Sequence, residues 1–207
     1  MYLRVDKYCK ISPTGIFIDG KKILDTNISD SPEASLNHIY RQLNVNYLKF
    51  FKMDNLSKLS ILATECLLKG SELIEPEENG NMAVVLSNSS SSNVTDSNYQ
   101  QTINDPANYF PSPSLFVYTL PNISIGEICI KYRIYGENVF LINQKFNAEN
   151  IYVYVNELFN KTDTINCIAG WTECSRNNYE AFLFLVKKGE QGRPFDVDEL
   201  NKLYKIN

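Results

Sequence analysis

The feature that most constrains the fold is one stretch at 135–160, YGENVFLINQKFNAENIYVYVNELFN. Residues 139–142 are wholly apolar and follow a glycine, which predicts a short strand buried on both faces. Asn147 is a suitable N-cap for a helix that ends near Asn160. The apolar residues of that helix fall on one face: Ile151, Tyr154, Val155, Leu158 and Phe159. The sequence therefore predicts a sharp turn between a buried strand and a helix N-terminus.

Two polar residues, Gln144 and Lys145, occupy this turn. Such a turn presents a side chain at the end of a sheet, beside unpaired backbone N–H groups. Many enzymes place a nucleophile there. This chain has a glutamine and a lysine instead, and both are candidate site residues.

The rest of the chain alternates strands and helices and then forms a hairpin. Apolar runs predict strands at 2–11, 16–18, 82–86, 165–171 and 179–186. Helix N-terminal signals occur at 30–33, 54–55, 121–122 and 196–199, and a further helix is predicted at 96–103. Gly136 is expected to end the helix that begins at 121–122. This order predicts a single α/β domain over residues 1–207, with flanking helices and a mixed sheet that has a mostly parallel core.

Composition excludes several classes of function. The net charge is −4 with no long basic run, which argues against nucleic-acid binding. No apolar segment approaches the ~20 residues of a membrane span. The chain has one histidine and five scattered cysteines, none in a CxxC pair, so we expect reduced core thiols, no zinc site and no cofactor. Together with the absence of an N-terminal apolar segment, this predicts a cytoplasmic protein.

Short segments along the chain occur in a recognisable order. They are the tripeptide Phe51-Lys52-Met53 before a long apolar helix, the strand at 82–86 before a small-residue loop, Leu120-Pro121-Asn122, Gly126-Glu127-Ile128, Tyr135-Gly136 and the strand at 165–173. In this order they resemble the β-ketoacyl synthases, specifically their Arg-Arg-Met segment and helix, first core strand, LPN…G…I…GL.G segment and A.VGG.E strand. The resemblance covers nearly the whole chain and rests on the order and spacing of the segments.

The resemblance implies half of a thiolase fold, because that family has two similar halves and this chain has the length of the first. It is most similar to free-standing N-terminal-like ketoacyl synthases of bacterial lipid and pigment clusters. The position of the family's nucleophilic cysteine falls on Lys145, with Gln144 as the one-residue alternative. The family's catalytic histidines lie in the other half, and His38 matches neither. The resemblance therefore implies that no condensing machinery is present.

Three hypotheses follow. The first is a non-catalytic binding or assembly subunit whose partner is an acyl carrier protein, an acyl chain or a true ketoacyl synthase. Because family members pair across a two-fold through an edge strand, the resemblance implies a homodimer or heterodimer. The second is an acyl-transfer or malonyl-carrier-decarboxylating enzyme with a reassigned site at Gln144 and Lys145. The third is a half-site synthase completed in trans by a second chain.

Each candidate residue also has a plainer interpretation, which we favour. Lys145 has the chemistry of a Schiff base or general base, but a lysine at a turn is usually solvated. Gln144 invites comparison with chain-length factors, which carry glutamine in place of the cysteine. The serines at 87–92 suit either a phosphate cradle or an ordered loop of small residues. Cys174 and Ser175 are a candidate reactive thiol and hydroxyl, but no histidine lies near them in sequence, so a position at the edge of a hairpin is the simpler interpretation. His38 is expected to be a partly exposed helix residue.

Overall fold

A computed structural model describes residues 2–26, 31–70 and 81–206. Within these residues, eight strands form one sheet in the order β3-β2-β1-β7-β6-β4-β5, with β8 pairing on β1. The strands are β1 (Leu3–Ser12), β2 (Gly15–Ile18), β3 (Lys21–Leu24), β4 (Met82–Asn88), β5 (Asn138–Ile142), β6 (Asn166–Cys174), β7 (Tyr179–Lys188) and β8 (Arg193–Pro194). The parallel pairings are those that β4 makes with β5 and β6, while the other pairings are antiparallel. The predicted mixed α/β sheet is confirmed. The expectation of a mostly parallel core is wrong, because parallel pairing is confined to these three of the described strands and the long central pairings of β7 with β1 and β6 are antiparallel.

The described part of the chain contains seven α-helices, and five of them contribute to the two cores on either side of the sheet. The seven helices are α1 (Pro32–Gln42), α2 (Asn55–Leu68), α3 (Asn93–Gln101), α4 (Pro113–Val117), α5 (Ile123–Tyr132), α6 (Ala148–Lys161) and α7 (Val197–Lys205). One core lies between the sheet and α1, α2 and α5, and the second lies between the sheet and α6 and α7. None of these helices combines the length and the apolar character that crossing a membrane requires.

Helix α2 is the most buried helix, and only Asn55 and Glu65 among its residues are not buried. It begins where the Asp54 carboxylate accepts a hydrogen bond from the Ser57 N–H at 3.0 Å, as the sequence predicts. It ends at Lys69, followed by Gly70 in a left-handed conformation with φ of 75°. Such a helix can be buried on all sides because it contacts α1, α5 and three strands.

The helices of the second face also begin at the predicted caps. The Asn147 side chain accepts from the Asn150 N–H at 3.0 Å at the start of α6. The Asp196 carboxylate accepts from the Glu199 N–H at 2.8 Å at the start of α7. The apolar stripe of α6 faces the sheet, with Ile151, Val155, Leu158 and Phe159 buried. The predicted strand–turn–helix at the centre of the sequence is therefore present.

Three local predictions are wrong. The run at 139–142 is not buried on both faces, because among the described residues β5 is the last strand of the sheet and pairs with β4 alone. Ile142 is 54% exposed. Helix α3 begins at Asn93 rather than 96. Helix α5 ends before Gly136, because Arg133 adopts the left-handed conformation (φ 54°) that terminates it.

Candidate functional site

The candidate site lies where three parallel strands end together. Strands β5, β4 and β6 run in the same direction, so their carboxyl ends meet at one end of the sheet. The bend (residues 143–146) follows β5, the serine loop (residues 89–92) follows β4, and Glu173 and Cys174 close β6. The first two are joined directly, because the Asn143 N–H donates to the Asn88 carbonyl at 2.9 Å.

Gln144 and Lys145 lie on the bend with exposed side chains. The bend is fixed on both sides of them. Before them, the Asn143 side-chain oxygen accepts from the Asn150 amide at 2.7 Å. After them, Phe146 is buried and Asn147 caps α6. The two predicted site residues are thus held in place by a rigid frame while their own side chains meet solvent.

The serine loop is organised around the carboxylate of Glu173. This carboxylate accepts from the Ser89 N–H at 2.7 Å, the Ser89 hydroxyl at 2.6 Å and the Ser90 N–H at 3.3 Å. The Ser90 hydroxyl also donates to it. Ser91 is left-handed, with φ of 52°, and its N–H donates to Asn88 at 3.0 Å. The anion held by this loop is the chain's own carboxylate, so the loop is an ordered small-residue loop rather than a phosphate cradle.

The cysteine of the candidate site, Cys174, has a buried thiol with a raised pKa. Cys174 lies at the end of β6 rather than on the bend, and its side chain is 6% exposed. Burial raises the pKa of this thiol to about 12, with smaller contributions from the charges of Asp54 and Glu173. Burial likewise raises the pKa of Cys66 to about 12 and of Cys129 to about 11. All five cysteines are free, and a thiol with such a pKa is almost wholly protonated near neutral pH.

His38 lies on α1, part-buried, as predicted. Helix α1 belongs to the first core, whereas the bend leads into α6 of the second core. The remaining described residues include no group of three or more His, Cys, Asp or Glu side chains that could hold a metal ion.

The C-terminal helix borders the bend. The ring of Tyr204 on α7 stacks on Phe146 with centroids 4.4 Å apart, and the Tyr204 hydroxyl donates to Glu180 at 2.9 Å. An open groove of about 820 Å³ remains between α7 and the bend, lined by Lys145, Phe146, Asp198, Lys202, Tyr204 and Lys205 among others. A space therefore remains beside Lys145, with a helix of this chain as one of its walls.

Lys10 fixes the end of α7. Its ammonium group donates to the carbonyls of Tyr204 at 2.7 Å and Ile206 at 3.0 Å, and the residue is only 7% exposed. Burial lowers the pKa of Lys10, while the nearby Glu180 charge raises it. The favourable position of a cation at a helix C-terminus explains why a buried lysine is tolerated here.

Sequence reasoning missed Glu173 and Lys10 as organising residues. Glu173 ends a segment that the resemblance identifies, but its target lies 84 residues earlier in the chain. Lys10 interrupts an apolar run between Cys9 and Ile11. A single charged residue in such a run indicates a buried charge that needs a partner, and this was the signal in the sequence. Its partners lie 194 and 196 residues away, so the pairing itself left no local trace.

Comparison with known proteins gives matches at the level of structure. No family model and no curated protein matches the sequence. A chain of the ishigamide ketosynthase/chain length factor superposes with a TM-score of 0.64 at 14% identity, over 94% of this chain and 64% of that one. A second match is a chain of the ketosynthase ApeO in complex with its chain length factor ApeC, from Xenorhabdus doucetiae. It superposes with a TM-score of 0.62 at 12% identity, over 99% of this chain and 90% of that one.

A third match is a chain of AntDE:AntF, a type II polyketide acyl-carrier protein in complex with its ketosynthase. It gives a TM-score of 0.58 at 12% identity, over 90% of this chain and 62% of that one. The chain thus spans less than two thirds of the ishigamide and AntDE:AntF matches but nearly all of the matched ApeO–ApeC chain. At these identities the likeness establishes the fold, and the predicted thiolase-like half with an α/β sheet is confirmed.

Proposed function

We propose that this chain is a non-catalytic, ketosynthase-like subunit that assembles with a partner chain through strand β5, in fatty-acid or polyketide-type biosynthesis. In this proposal residues 1–207 form a single N-terminal-like half domain that acts in the cytoplasm. The observation that carries it is the combination of an apolar, unpaired edge strand with a bend that offers no nucleophile.

Strand β5 has an open side suited to pairing. Glu137 accepts from the Val84 N–H, and the Asn143 N–H donates to Asn88, so the odd-numbered residues face β4. In a parallel ladder successive residues alternate sides, so the backbone groups of Asn138, Phe140 and Ile142 face outward. An open apolar edge strand is a template for pairing with another chain.

The part of the sequence that contains β5 is rich in exposed apolar residues. Nine of the fifteen exposed large apolar residues in the described part of the chain lie between 109 and 153, the stretch that contains α5, β5 and α6. They are Tyr109, Phe110, Phe116, Val117, Leu120, Ile130, Tyr135, Ile142 and Val153. Residues 106–126 contain no charged side chain. These residues place apolar surface on the elements that precede and follow β5 in the chain, and exposed apolar surface is what a protein partner covers.

The bend supports a non-catalytic role. Lys145 and Gln144 are proposed to stand at the family's nucleophile position, and both are exposed. The family's nucleophile is a thiolate, and neither a solvated lysine side chain nor an amide replaces it. The single histidine lies on α1, so the proton-transfer groups of a condensing enzyme would have to come from another chain.

The partner is proposed to be a ketosynthase or an acyl carrier protein. Two of the matched structures contain a ketosynthase with a chain length factor or with an acyl-carrier protein. A second copy of this chain is the remaining possibility for the same edge, and it would give a homodimer.

Matched substitutions on the two edge strands test the proposal. Ile142 on β5 is 54% exposed and Ile23 on β3 is 47% exposed, so Ile142→Lys and Ile23→Lys add the same charge at opposite edges. Ile142→Pro removes an outward N–H without touching the β4 ladder. The measurements are light scattering and pull-down with a ketosynthase and an acyl carrier protein encoded nearby. We expect wild-type protein to form an assembly. Both Ile142 variants should abolish this assembly, and Ile23→Lys should preserve it. Wild-type protein that stays monomeric and binds neither candidate would contradict the proposal.

An activity assay separates the enzyme hypotheses from the proposal. We expect the chain alone to show no decarboxylation of a malonyl-carrier substrate above background. Turnover by wild-type protein that Lys145→Ala abolishes would identify Lys145 as catalytic and overturn the non-catalytic role. Turnover that appears only with a second, histidine-bearing chain would favour the half-site synthase.

A further inference from the structure

The groove between the bend and α7 has an apolar floor and a cationic rim. The stacked rings of Phe146 and Tyr204 form the floor, with Ile206 beside them. Lys145 stands on one wall, and Lys202 and Lys205 stand on the other. An apolar lining with a few convergent charged groups is the usual construction of a small-molecule site.

The charges of the rim are only partly neutralised. Asp198 is the acidic residue in the lining, and Lys202 lies 3.4 Å from Glu199. Lys145 and Lys205 form no ion pair with any other described residue. These two ammonium groups therefore leave an excess of positive charge at the mouth of the groove.

The helix end beside the groove does not cancel this charge. The last carbonyls of a helix carry a partial negative charge that would repel an anion. Here the carbonyls of Tyr204 and Ile206 accept from the buried ammonium of Lys10, at 2.7 and 3.0 Å. Lys10 thus offsets the partial negative charge at the C-terminal end of α7.

We propose that this groove binds an anionic amphiphile, meaning a carboxylate or phosphate group carried on an unbranched apolar chain. The head group is held by Lys145 and Lys205, and the chain lies along Phe146 and Tyr204. This site goes beyond the subunit role proposed above, because it requires neither a partner chain nor strand β5.

Titration of the ¹⁵N-labelled protein with octanoate and with octyl phosphate tests the proposal. A ligand of this size is expected to bind with a Kd on the order of 1 mM, and its shifts are expected to be largest for the groove residues. Affinity is expected to rise about twofold to fourfold for each added CH₂. The tighter of the two probes identifies the preferred head group.

Two control ligands isolate the two halves of the site. We expect 1-octanol and inorganic phosphate to bind at least about fivefold more weakly, since each lacks one recognised feature. Equal binding of 1-octanol would show that the cations play no part. Equal binding of inorganic phosphate would show that only a simple ion is held. Either result, or no saturable shift at tenfold higher ligand, overturns the proposal.

A matched pair of double variants completes the test. Lys145→Ala with Lys205→Ala is expected to weaken octanoate binding about fivefold. Lys21→Ala with Lys52→Ala removes the same charge at exposed positions that do not line the groove, and we expect it to leave affinity unchanged. An equal loss in both would indicate a net-charge effect and sink the site. Partner binding in pull-down should be the same in all these variants, so failure of the groove and failure of the subunit proposal are separate results.

Discussion

The serine loop and the bend lie side by side at the carboxyl end of the sheet, and each leads into a helix. In the serine loop, two N–H groups and two hydroxyls donate to the Glu173 carboxylate. In the bend, Gln144 and Lys145 are exposed, and among the described residues no side-chain hydrogen bond or ion pair involves either of them. The serine loop has its polar groups satisfied from within the chain, whereas the bend leaves the side chains of Gln144 and Lys145 open to solvent.

The polar groups of the serine loop stabilise the fold, whereas those of Gln144 and Lys145 on the bend are free to bind a ligand. Polar groups that are satisfied internally stabilise the fold and have little capacity left for a ligand. Polar groups held on a rigid frame without internal partners remain available for binding. In this protein the available groups are those of the bend, which is where we place both the vacated nucleophile position and the mouth of the groove.

Gly170→Ala is expected to have the largest effect, because it disturbs the strand that supports the serine loop. Gly170 has φ of +150°, and an added Cβ would lie 2.0 Å from the Phe182 carbonyl oxygen and 2.9 Å from the Leu183 Cα on β7. Backbone atoms of a central strand can move away from the added Cβ only at a large cost in free energy. We expect a loss of about 4 kcal/mol or more in the free energy of unfolding, or failure to fold, measured by urea denaturation.

A second glycine provides the control. Gly126 lies in α5, and an added Cβ there meets nothing within 4 Å. Gly126→Ala is expected to stabilise the protein by about 0.5–1 kcal/mol through helix propensity. If Gly170→Ala were as stable as Gly126→Ala, the close approach of β6 and β7 would be wrong.

Glu173→Ala tests the clamp on the serine loop itself and should have an intermediate effect. It leaves two N–H groups and two hydroxyls without their acceptor, although partial exposure allows water to replace it. We expect a loss of about 1–2 kcal/mol and faster amide hydrogen exchange at Ser89 and Ser90. Glu173→Gln, which keeps one acceptor oxygen, should lose about half as much.

Glu190 gives the matched control for charge. Glu190 is exposed and lies just after β7. Glu190→Ala removes the same charge and is expected to change the free energy of unfolding by no more than ~0.5 kcal/mol. Unchanged amide exchange at Ser89 and Ser90 in Glu173→Ala would mean that the loop holds its shape without the carboxylate. The contrast between the two turns would then disappear.

Local sequence signals predicted the elements well. Asp54, Asn147 and Asp196 cap their helices as expected, since capping depends on residues within one turn. The apolar run at 139–142 correctly predicted a strand but wrongly predicted that it is buried on both faces. A short apolar run has the same pattern whether a strand has one neighbour or two, so the exposed edge was not visible in it.

The contrast between the two turns was not predictable from sequence. Both are polar segments between a strand and a helix, and composition alone treats them alike. What distinguishes them is Glu173, whose position opposite the loop depends on the pairing of β4 with β6. Lys10 and the stacked pair of Phe146 and Tyr204 depend in the same way on where the C-terminal helix packs. Such long-range contacts follow from topology rather than from local pattern.

The smallest effect on stability, and the most direct comparison of the two turns, is expected from single cysteines. Lys145→Cys and Ser89→Cys place a thiol on the bend and on the serine loop, both at exposed positions. We expect Lys145→Cys to change the free energy of unfolding by less than ~0.5 kcal/mol, as an exposed substitution. Its thiol should titrate near the ordinary pKa of ~8.5.

Reaction with a thiol reagent measures the difference. Wild-type protein should react slowly, because burial raises the pKa values of its thiols. Four of the five are also shielded from solvent, and Cys129 is half-buried. Lys145→Cys should add one fast-reacting equivalent. Ser89→Cys should react more slowly below pH 8, because the neighbouring Glu173 carboxylate raises the thiol pKa, and the two rates should converge at alkaline pH. Equal rates at all pH values would show that Glu173 exerts no field on the loop, and a slow Lys145→Cys would show that the bend is closed to solvent.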